Sequence, residues 1–217
     1  MSIGTGLTVG TYIAPFLVEN FKRHYPYIPI NLQMYQGKYL VEFMRNKKFN
    51  VMLSSIMSDS EDFESLPFYH DELVLISPNS CRINNTISLN KLRKCPLVIR
   101  EAGSIARSLL EKNLRKHGIG MQQLTIVMEL FSNEAIKNAV EAGVGMGFVA
   151  RSSIMEFNLK NSVFNITKVK GLQIDRFIYL VKHQSTASPE LDLFFRFADS
   201  DLWYPQTGSA QTGAHLS

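Results

Sequence analysis

Three short segments of this sequence combine hydroxyl, amide, glycine and arginine residues where a predicted strand leads into a predicted helix. They are residues 5–10, 100–107 and 131–134. In parallel α/β sheets, the carboxyl ends of strands and the amino ends of helices meet at one edge, where backbone N–H groups can bind an anion. These segments therefore indicate a site for a small molecule that carries an anionic or carbonyl group.

The individual candidates follow from side-chain chemistry. Hydroxyls and amides donate hydrogen bonds, glycine lets a ligand approach the backbone, and arginine can hold a carboxylate with two parallel hydrogen bonds. The candidate ligand-binding residues are Thr5, Gly6, Thr8, Arg100, Gly103, Ser104, Arg107, Ser132 and Asn133. Each also has a plainer interpretation, as a helix cap or a surface ion pair. Binding is favoured because the segments occupy equivalent places in two similar units and would converge on one cleft.

The sequence offers no catalytic or metal-binding pattern. The five histidines are scattered, without metal-ligand spacing and without a partner for a nucleophile. The glycines at 143, 145 and 147 precede a strand, the wrong order for a dinucleotide site, and a close turn with tight helix–strand packing explains them better. We therefore expect no enzyme, no cofactor and no metal.

Composition limits the remaining classes of protein to which this chain could belong. The 217 residues carry a formal charge of only +4 without a basic stripe, so this segment should bind DNA weakly. No apolar run approaches the roughly 18 residues of a membrane helix, and the start does not read as a signal peptide. Cys81 and Cys95 fit reduced thiols of a cytoplasmic protein, with a redox-sensing pair as the alternative.

Hydrophobic periodicity predicts two β-α-β-α-β units that position these segments. The first comprises strands at 3–5, 28–34 and 50–54, with helices around 13–25 and 40–44. The second comprises strands at 97–100, 125–130 and 143–150, with helices around 106–114 and 133–142. A strand at 71–78, another at 175–182 and a final helix capped by Ser188 complete the chain.

Five pieces of the sequence, in register, resemble one family. They are I-G-T-G-L-T-V-G-T-Y-I-A-P-F from residue 3, E-S-L-P-F-Y-H-D-E-L-V-L-I-S-P at 64–78, R-E-A-G-S at 100–104, S-N-E-A-I-K at 132–137 and A-G-V-G-M-G at 142–147. The third departs from a familiar R-E-P-G-S by one alanine. Together, over residues 3–200, they resemble the effector-binding domain of LysR-type transcriptional regulators.

The resemblance implies an α/β fold with two Rossmann-like lobes joined by two crossover strands, like a type II periplasmic binding protein. Lobe I would be residues 1–76 plus 178–204, lobe II 77–177, and the effector would bind between them. Residues 205–217 would be a disordered tail or a cloning remnant. Gly6 and Leu7 depart from relatives that often carry a hydroxyl there, which leaves the effector open.

The resemblance also implies partners. An intact bacterial regulator would bind promoter DNA through a winged helix-turn-helix upstream of residue 3, would act in the cytoplasm and would not contact a membrane. It would form a homodimer by packing lobe I against lobe II, and a tetramer as the whole protein. The alternative is a periplasmic solute-binding protein of a transport system, which shares the two-lobed fold but requires an export signal.

Overall fold

The computed structural model describes residues 1–56, 61–81, 85–154, 164–186, 188–200 and 202–203. The strands in this part of the chain are β1 (Ser2–Gly6), β2 (Asn31–Tyr35), β3 (Val51–Ser54), β4 (Phe63–Pro78), β5 (Thr86–Ile87), β6 (Pro96–Arg100), β7 (Thr125–Leu130), β8 (Met146–Ala150), β9 (Phe164–Val169) and β10 (Ile174–His183). The α-helices are α1 (Leu7–Tyr12), α2 (Ala14–His24), α3 (Gly37–Arg45), α4 (Leu89–Lys94), α5 (Ile105–Arg115), α6 (Asn133–Glu141) and α7 (Pro189–Ala198).

Each lobe is built around three parallel strands. In lobe I, β1 pairs with β2 on one side and β3 on the other, and in lobe II, β6 pairs likewise with β7 and β8. The first strand of each unit is therefore central, with the second strand on one side of it and the third strand on the other. This reversal of strand order is a topological switch point, and ligands bind at the carboxyl end of the strands at such a point in open α/β sheets. The prediction of two β-α-β-α-β units is confirmed.

Two long antiparallel strands join the lobes. β4 and β10 pair from Leu73 and Ile174 at one end to Phe63 and His183 at the other. β10 then pairs with β3 of lobe I, and β4 pairs with β8 of lobe II. One sheet thus runs through both lobes in the order β2-β1-β3-β10-β4-β8-β6-β7. Sequence periodicity found only the apolar half of β4, because residues of its first half are partly exposed on both faces.

Separate apolar clusters fill the two lobes. In lobe I, α7 packs on α2, and the rings of Phe21 and Phe194 meet edge to face at 5.0 Å. In lobe II, α5 buries Leu110 and Leu114 among strand residues such as Leu97. None of the described helices is long and apolar enough to cross a bilayer.

The glycines near residue 145 serve packing, as the sequence indicated. A Cβ atom on Gly147 would lie 2.4 Å from Cγ2 of Ile136 in α6, and one on Gly145 would lie 2.5 Å from the Pro96 carbonyl oxygen. Both distances are too short for real contacts, so only glycine lets β8 lie against α6 and β6 here.

The first helix differs from the prediction. We expected a turn at 5–10 followed by one helix, but helix α1 starts at Leu7, directly after β1, and α2 resumes at Ala14. The break at Ile13 precedes Pro15, which has no N–H to continue the hydrogen-bond ladder. Thr8 therefore lies in the first turn of a helix rather than in a loop. The short β5, α4 and the strand β9 were not predicted.

Candidate functional site

A cavity of about 110 Å³ lies between the lobes, where the carboxyl ends of β1 and β6 meet. Lobe I contributes Gly6, Leu7, Thr8, Val9, Gln36, Gly37, Ser54 and Ser55. Lobe II contributes Arg100, Glu101, Ala102, Gly103, Ser104, Ile105, Ala106 and Phe131, and the crossover strand β10 adds Arg176. Five of the nine predicted residues (Gly6, Thr8, Arg100, Gly103 and Ser104) are in this lining.

The lobe I wall is formed where β1 becomes α1. Gly6 is the extended residue before the helix, and Thr8 follows in its first turn. Thr5, by contrast, is fully buried and donates its hydroxyl to the Leu53 carbonyl at 3.0 Å. Thr5 thus ties β1 to β3, and it is not part of the cavity lining.

The lobe II wall is formed where β6 leads into α5. Gly103 has φ +87°, a left-handed conformation that favours glycine over residues with a Cβ. Ser104 then caps α5 by accepting a hydrogen bond from the Arg107 N–H at 3.0 Å. The hydroxyl proton of Ser104 is left over for a ligand, because the cap uses the oxygen only as an acceptor.

The two predicted arginines have different roles. Arg100 lines the cavity, is 7% exposed and makes two hydrogen bonds to the carboxylate of Glu101, at 2.8 and 3.0 Å. Arg107 is outside the lining, and it bonds instead to the Arg100 carbonyl at 3.0 Å and to Glu111 at 2.6 Å. Arg107 therefore holds the end of β6 in place, and the structure does not bring this predicted residue into the cavity lining.

The predicted pair on α6 lies at the contact between lobes rather than in the cavity lining. Ser132 caps α6 by accepting from the Ala135 N–H at 3.0 Å. The buried Asn133 donates through Nδ2 to the Thr8 hydroxyl at 3.2 Å, across the two lobes. Because Thr8 accepts this bond, its own hydroxyl proton is available to a ligand. Asn133 is a positioning residue for Thr8.

A second contact between α1 and α6 involves charge. The Tyr12 hydroxyl donates to the Glu134 carboxylate, and the Lys137 ammonium lies 2.7 Å from the same carboxylate. Burial alone would raise the pKa of Glu134, but the hydrogen bonds from Lys137 and Tyr12 and the charge of Lys137 together hold that pKa below its usual value. This contact therefore ties the lobes together most strongly when Glu134 is ionised.

We expect this contact to weaken in acid. The pKa of Glu134 is lower in the folded than in the unfolded chain, so its contribution is complete above the unfolded pKa and is lost as pH falls through the folded one. Glu134 is half-exposed, which limits the effect to about 1 kcal/mol. Between pH 6 and pH 3.5, the melting temperature of Glu134→Gln should fall by roughly 2–3 °C less than that of the parent protein. Glu141→Gln, at the other end of α6, should behave like the parent, and equal pH slopes in all three would contradict the assignment.

Arg176 was not predicted. It lies on β10, lines the cavity and is 6% exposed. Its Nε and Nη2 donate to Oδ2 of the buried Asp71, at 3.1 and 2.6 Å. Asp71 also accepts from the backbone N–H and the hydroxyl of Ser152, at 3.1 and 2.9 Å. The signal was present in the alternation of β10, where Arg176 shares a buried face with Ile174 and Ile178.

The described residues contain no group of three or more histidine, cysteine or acidic residues that could hold a metal ion. Both cysteines are free, and Cys95 is buried. Burial, assisted by Cys81 and opposed by the charge of Lys91, raises the pKa of the Cys95 thiol. This thiol is accordingly a weaker nucleophile at neutral pH than an exposed one.

The two-lobed fold with its interlobe cavity agrees with a family comparison. A family model described as the LysR substrate binding domain matches residues 1–203. The chain belongs to this family. A "Probable RuBisCO transcriptional regulator" from Synechocystis sp. is 30% identical over 195 residues, which are 86% of this chain and 56% of that protein. A protein of the same name from Cyanidium caldarium is 31% identical over 188 residues, 84% of this chain and 59% of that protein. This LysR substrate-binding domain thus spans less than two thirds of the length of either relative.

Solved structures show the same fold. The regulatory domain of Synechocystis PCC6803 CcmR, in complex with 2-PG, superposes with a TM-score of 0.82 at 22% identity, covering 92% of this chain and 95% of that one. The effector-binding domain of QuiR, in complex with shikimate, has a TM-score of 0.75 at 22% identity, covering 91% and 94%. At these identities the likeness establishes the architecture of the LysR domain and not its ligand.

Proposed function

We propose that this domain is the effector-sensing part of a DNA-binding transcriptional regulator and that it binds a small anionic molecule between its lobes. The observation that carries the proposal is the interlobe cavity, which is lined by two buried arginines and by the starts of α1 and α5. The proposed ligand-contacting residues are Gly6, Thr8, Arg100, Gly103, Ser104 and Arg176. Neighbours of the same fold that were solved with 2-PG and with shikimate support it.

The chemistry of the lining favours an anion. Arg100 and Arg176 each have guanidinium N–H groups beyond the two that bond to Glu101 and to Asp71. Thr8 and Ser104 each retain a hydroxyl proton after accepting a hydrogen bond. The helix α5 begins at Ile105, and its amino end adds partial positive charge. A cavity of about 110 Å³ suits a compact molecule better than a large one.

The ligand would act on the arrangement of the lobes. A ligand that contacts both walls binds the closed arrangement more tightly than an open one, and so it shifts the population toward closure. The contacts of Thr8 with Asn133 and of Tyr12 with Glu134 join α1 to α6 beside the cavity. They belong to the closed arrangement and would be strengthened when the ligand binds.

The role of the whole protein is also a proposal. The named relatives are transcriptional regulators, and this chain spans 56% and 59% of their lengths. We propose that promoter DNA is bound by a winged helix-turn-helix outside this domain, in the cytoplasm, and that the domain performs no reaction. The coding sequence upstream of residue 1 distinguishes this function from a solute-binding protein of a transport system, which would show an export signal there.

We further propose a homodimer, and a tetramer for the whole protein. The outer strands β2 and β7 are the two ends of the sheet, and their unpaired backbone groups can bond to another chain. Exposed apolar side chains mark both edges: Met34 on β2, and Val127 and Met128 on β7. Pairing β2 of one copy with β7 of another, twice about a two-fold axis, would cover the β2 and β7 edges of both copies. The lobe limits at 76–77 and 177–178 remain our proposal. The apolar clusters support the second limit, since Ile174 packs in lobe II and Ile178 in lobe I, whereas Leu73 and Ile76 already pack with lobe II residues.

Ligand binding can be tested by thermal shift. Phosphate, sulfate, 2-PG and shikimate are titrated separately, and a true ligand at 100 times its Kd should raise the melting temperature by about 5–10 °C. The double variant Thr8→Ala with Ser104→Ala should abolish the shift, because it removes one donor from each wall. Each shift is measured from the variant's own baseline, since losing the Ser104 cap costs about 1 kcal/mol.

A matched control is the double variant Thr11→Ala with Ser88→Ala. Ser88 caps α4 as Ser104 caps α5, accepting from Lys91 N–H at 3.2 Å, and the Thr11 hydroxyl lies in α1 near Thr8 but bonds to the Leu7 carbonyl. Neither residue lines the cavity. A ligand-induced shift that survives in the Thr8 and Ser104 variant, or that disappears in the control, would place the site elsewhere.

A further inference from the structure

One carboxylate of the cavity lining, that of Glu101, is hydrogen-bonded to a lining arginine. Glu101 follows Arg100 directly in sequence, and its Oε2 and Oε1 accept from Nε and Nη2 of Arg100 at 2.8 and 3.0 Å. This two-pronged geometry is the one by which an arginine binds the carboxylate or phosphate of a ligand. Both side chains line the cavity, and both are largely buried, 7% and 17% exposed.

We propose that Glu101 is a built-in competitor, which holds the place on Arg100 that the anionic group of the effector takes when it binds. This inference rests on the proposed function and deepens it. The effector must then displace the Glu101 carboxylate, so a neutral molecule of the same shape gains nothing from Arg100. Glu101 thereby determines both the charge of the effector that the site selects and the effector concentration at which the domain responds.

The charges of the lining support the exchange. With Glu101 on Arg100 and Asp71 on Arg176, each cationic side chain of the lining is neutralised by one carboxylate. Asp71 is 1% exposed and is fixed by Ser152 as well as by Arg176, so it is not available for displacement. Glu101 has only Arg100 as a side-chain partner within the described residues. Of these two carboxylates, therefore, only that of Glu101 can leave without breaking other bonds.

The backbone allows the side chain to move alone. The Glu101 N–H donates to the Leu130 carbonyl at 3.1 Å, and the Glu101 carbonyl accepts from the Ser104 N–H at 3.2 Å. These bonds hold the main chain between β7 and α5. A change of the Glu101 side-chain rotamer is therefore sufficient to release Arg100. The next residues, Ala102 and Gly103, are exposed, and they leave room on the solvent side for the displaced carboxylate.

The test compares anion binding by calorimetry in the parent domain, Glu101→Gln and Glu111→Gln. Glu111 is the matched control, because its carboxylate also bonds to an arginine, Arg107, at 2.6 Å, but outside the cavity. Glu101→Gln should bind phosphate and sulfate roughly 10- to 30-fold more tightly than the parent, since no carboxylate has to be displaced from the buried Arg100. Glu111→Gln should match the parent. Circular dichroism confirms folding, and Glu101→Ala, which removes the same carboxylate, should also bind more tightly.

The outcomes separate this inference from the proposed function. If the parent binds an anion that the Thr8 and Ser104 variant does not, and both Glu101 variants bind it no more tightly, the competitor role is overturned while the effector site stands. If no protein in the set binds any anion, the anionic effector and the competitor role both fall. A gain shared by Glu101→Gln and Glu111→Gln would reflect net charge alone and would also overturn the proposal.

Discussion

Asp71→Ala is expected to lower the free energy of unfolding by about 3–5 kcal/mol, because it leaves the guanidinium of Arg176 buried without its counter-ion. The two side chains are 1% and 4% exposed, and Asp71 in addition accepts hydrogen bonds from Ser152 and from the Glu72 N–H at 2.9 Å. Asp71 lies on β4 and Arg176 on β10, so the pair fastens the two crossover strands to each other beside the cavity. Urea denaturation followed by circular dichroism measures the loss.

Two variants make this prediction specific. Asp175→Ala removes the neighbouring acid of β10, whose Oδ1 lies 3.2 Å from Nε2 of His70 in an about half-exposed contact, and it should cost less than about 1 kcal/mol. The double variant Asp71→Ala with Arg176→Met should lose less stability than Asp71→Ala alone, since no unpaired charge remains. A loss below about 1 kcal/mol for Asp71→Ala would show that the pair contributes little to joining the strands.

Val127→Lys should convert the proposed dimer into a monomer. Val127 is 47% exposed on the outer strand β7, and a lysine there would place a charge in the proposed contact with β2 twice in each dimer. Burying two unpaired ammonium groups should raise the dimer Kd on the order of 100-fold. Sedimentation velocity across a micromolar concentration series measures the change, and Met34→Lys should reproduce it from the β2 side.

Phe177→Lys is the matched control for the dimer edge. Phe177 is 45% exposed, nearly the same as Val127, but it lies on β10 in the middle of the sheet order. Its substitution should leave the oligomeric state unchanged. A parent domain that sediments as a monomer at all concentrations, or a dimer that tolerates both edge variants, would exclude the pairing of β2 with β7.

Much of the site was accessible from the sequence, because its geometry follows from chain order. Parallel strands that alternate with helices place every strand-to-helix connection of a lobe at one edge of the sheet. That rule, together with the family resemblance that makes the two lobes face each other, predicted Thr8 and Ser104 on opposite walls of the cleft. Among the predicted residues outside the cavity lining, Thr5 bonds to β3, a connection that the spacing of residues does not show. Ser132 caps its own helix, which agrees with the plainer interpretation of its position.

From the sequence one can predict the two equivalent units and the segments that meet between them, because periodicity and chain direction are local properties. Which arginines face the cavity depends on the tertiary structure. Arg100 and Arg107 are alike in sequence, yet the first lines the site and the second binds Glu111. Arg176 reaches the site from a strand some 70 residues further along the chain. Such side chains meet only when β4 and β10 pair, since burial and ion pairing depend on residues that are distant in sequence.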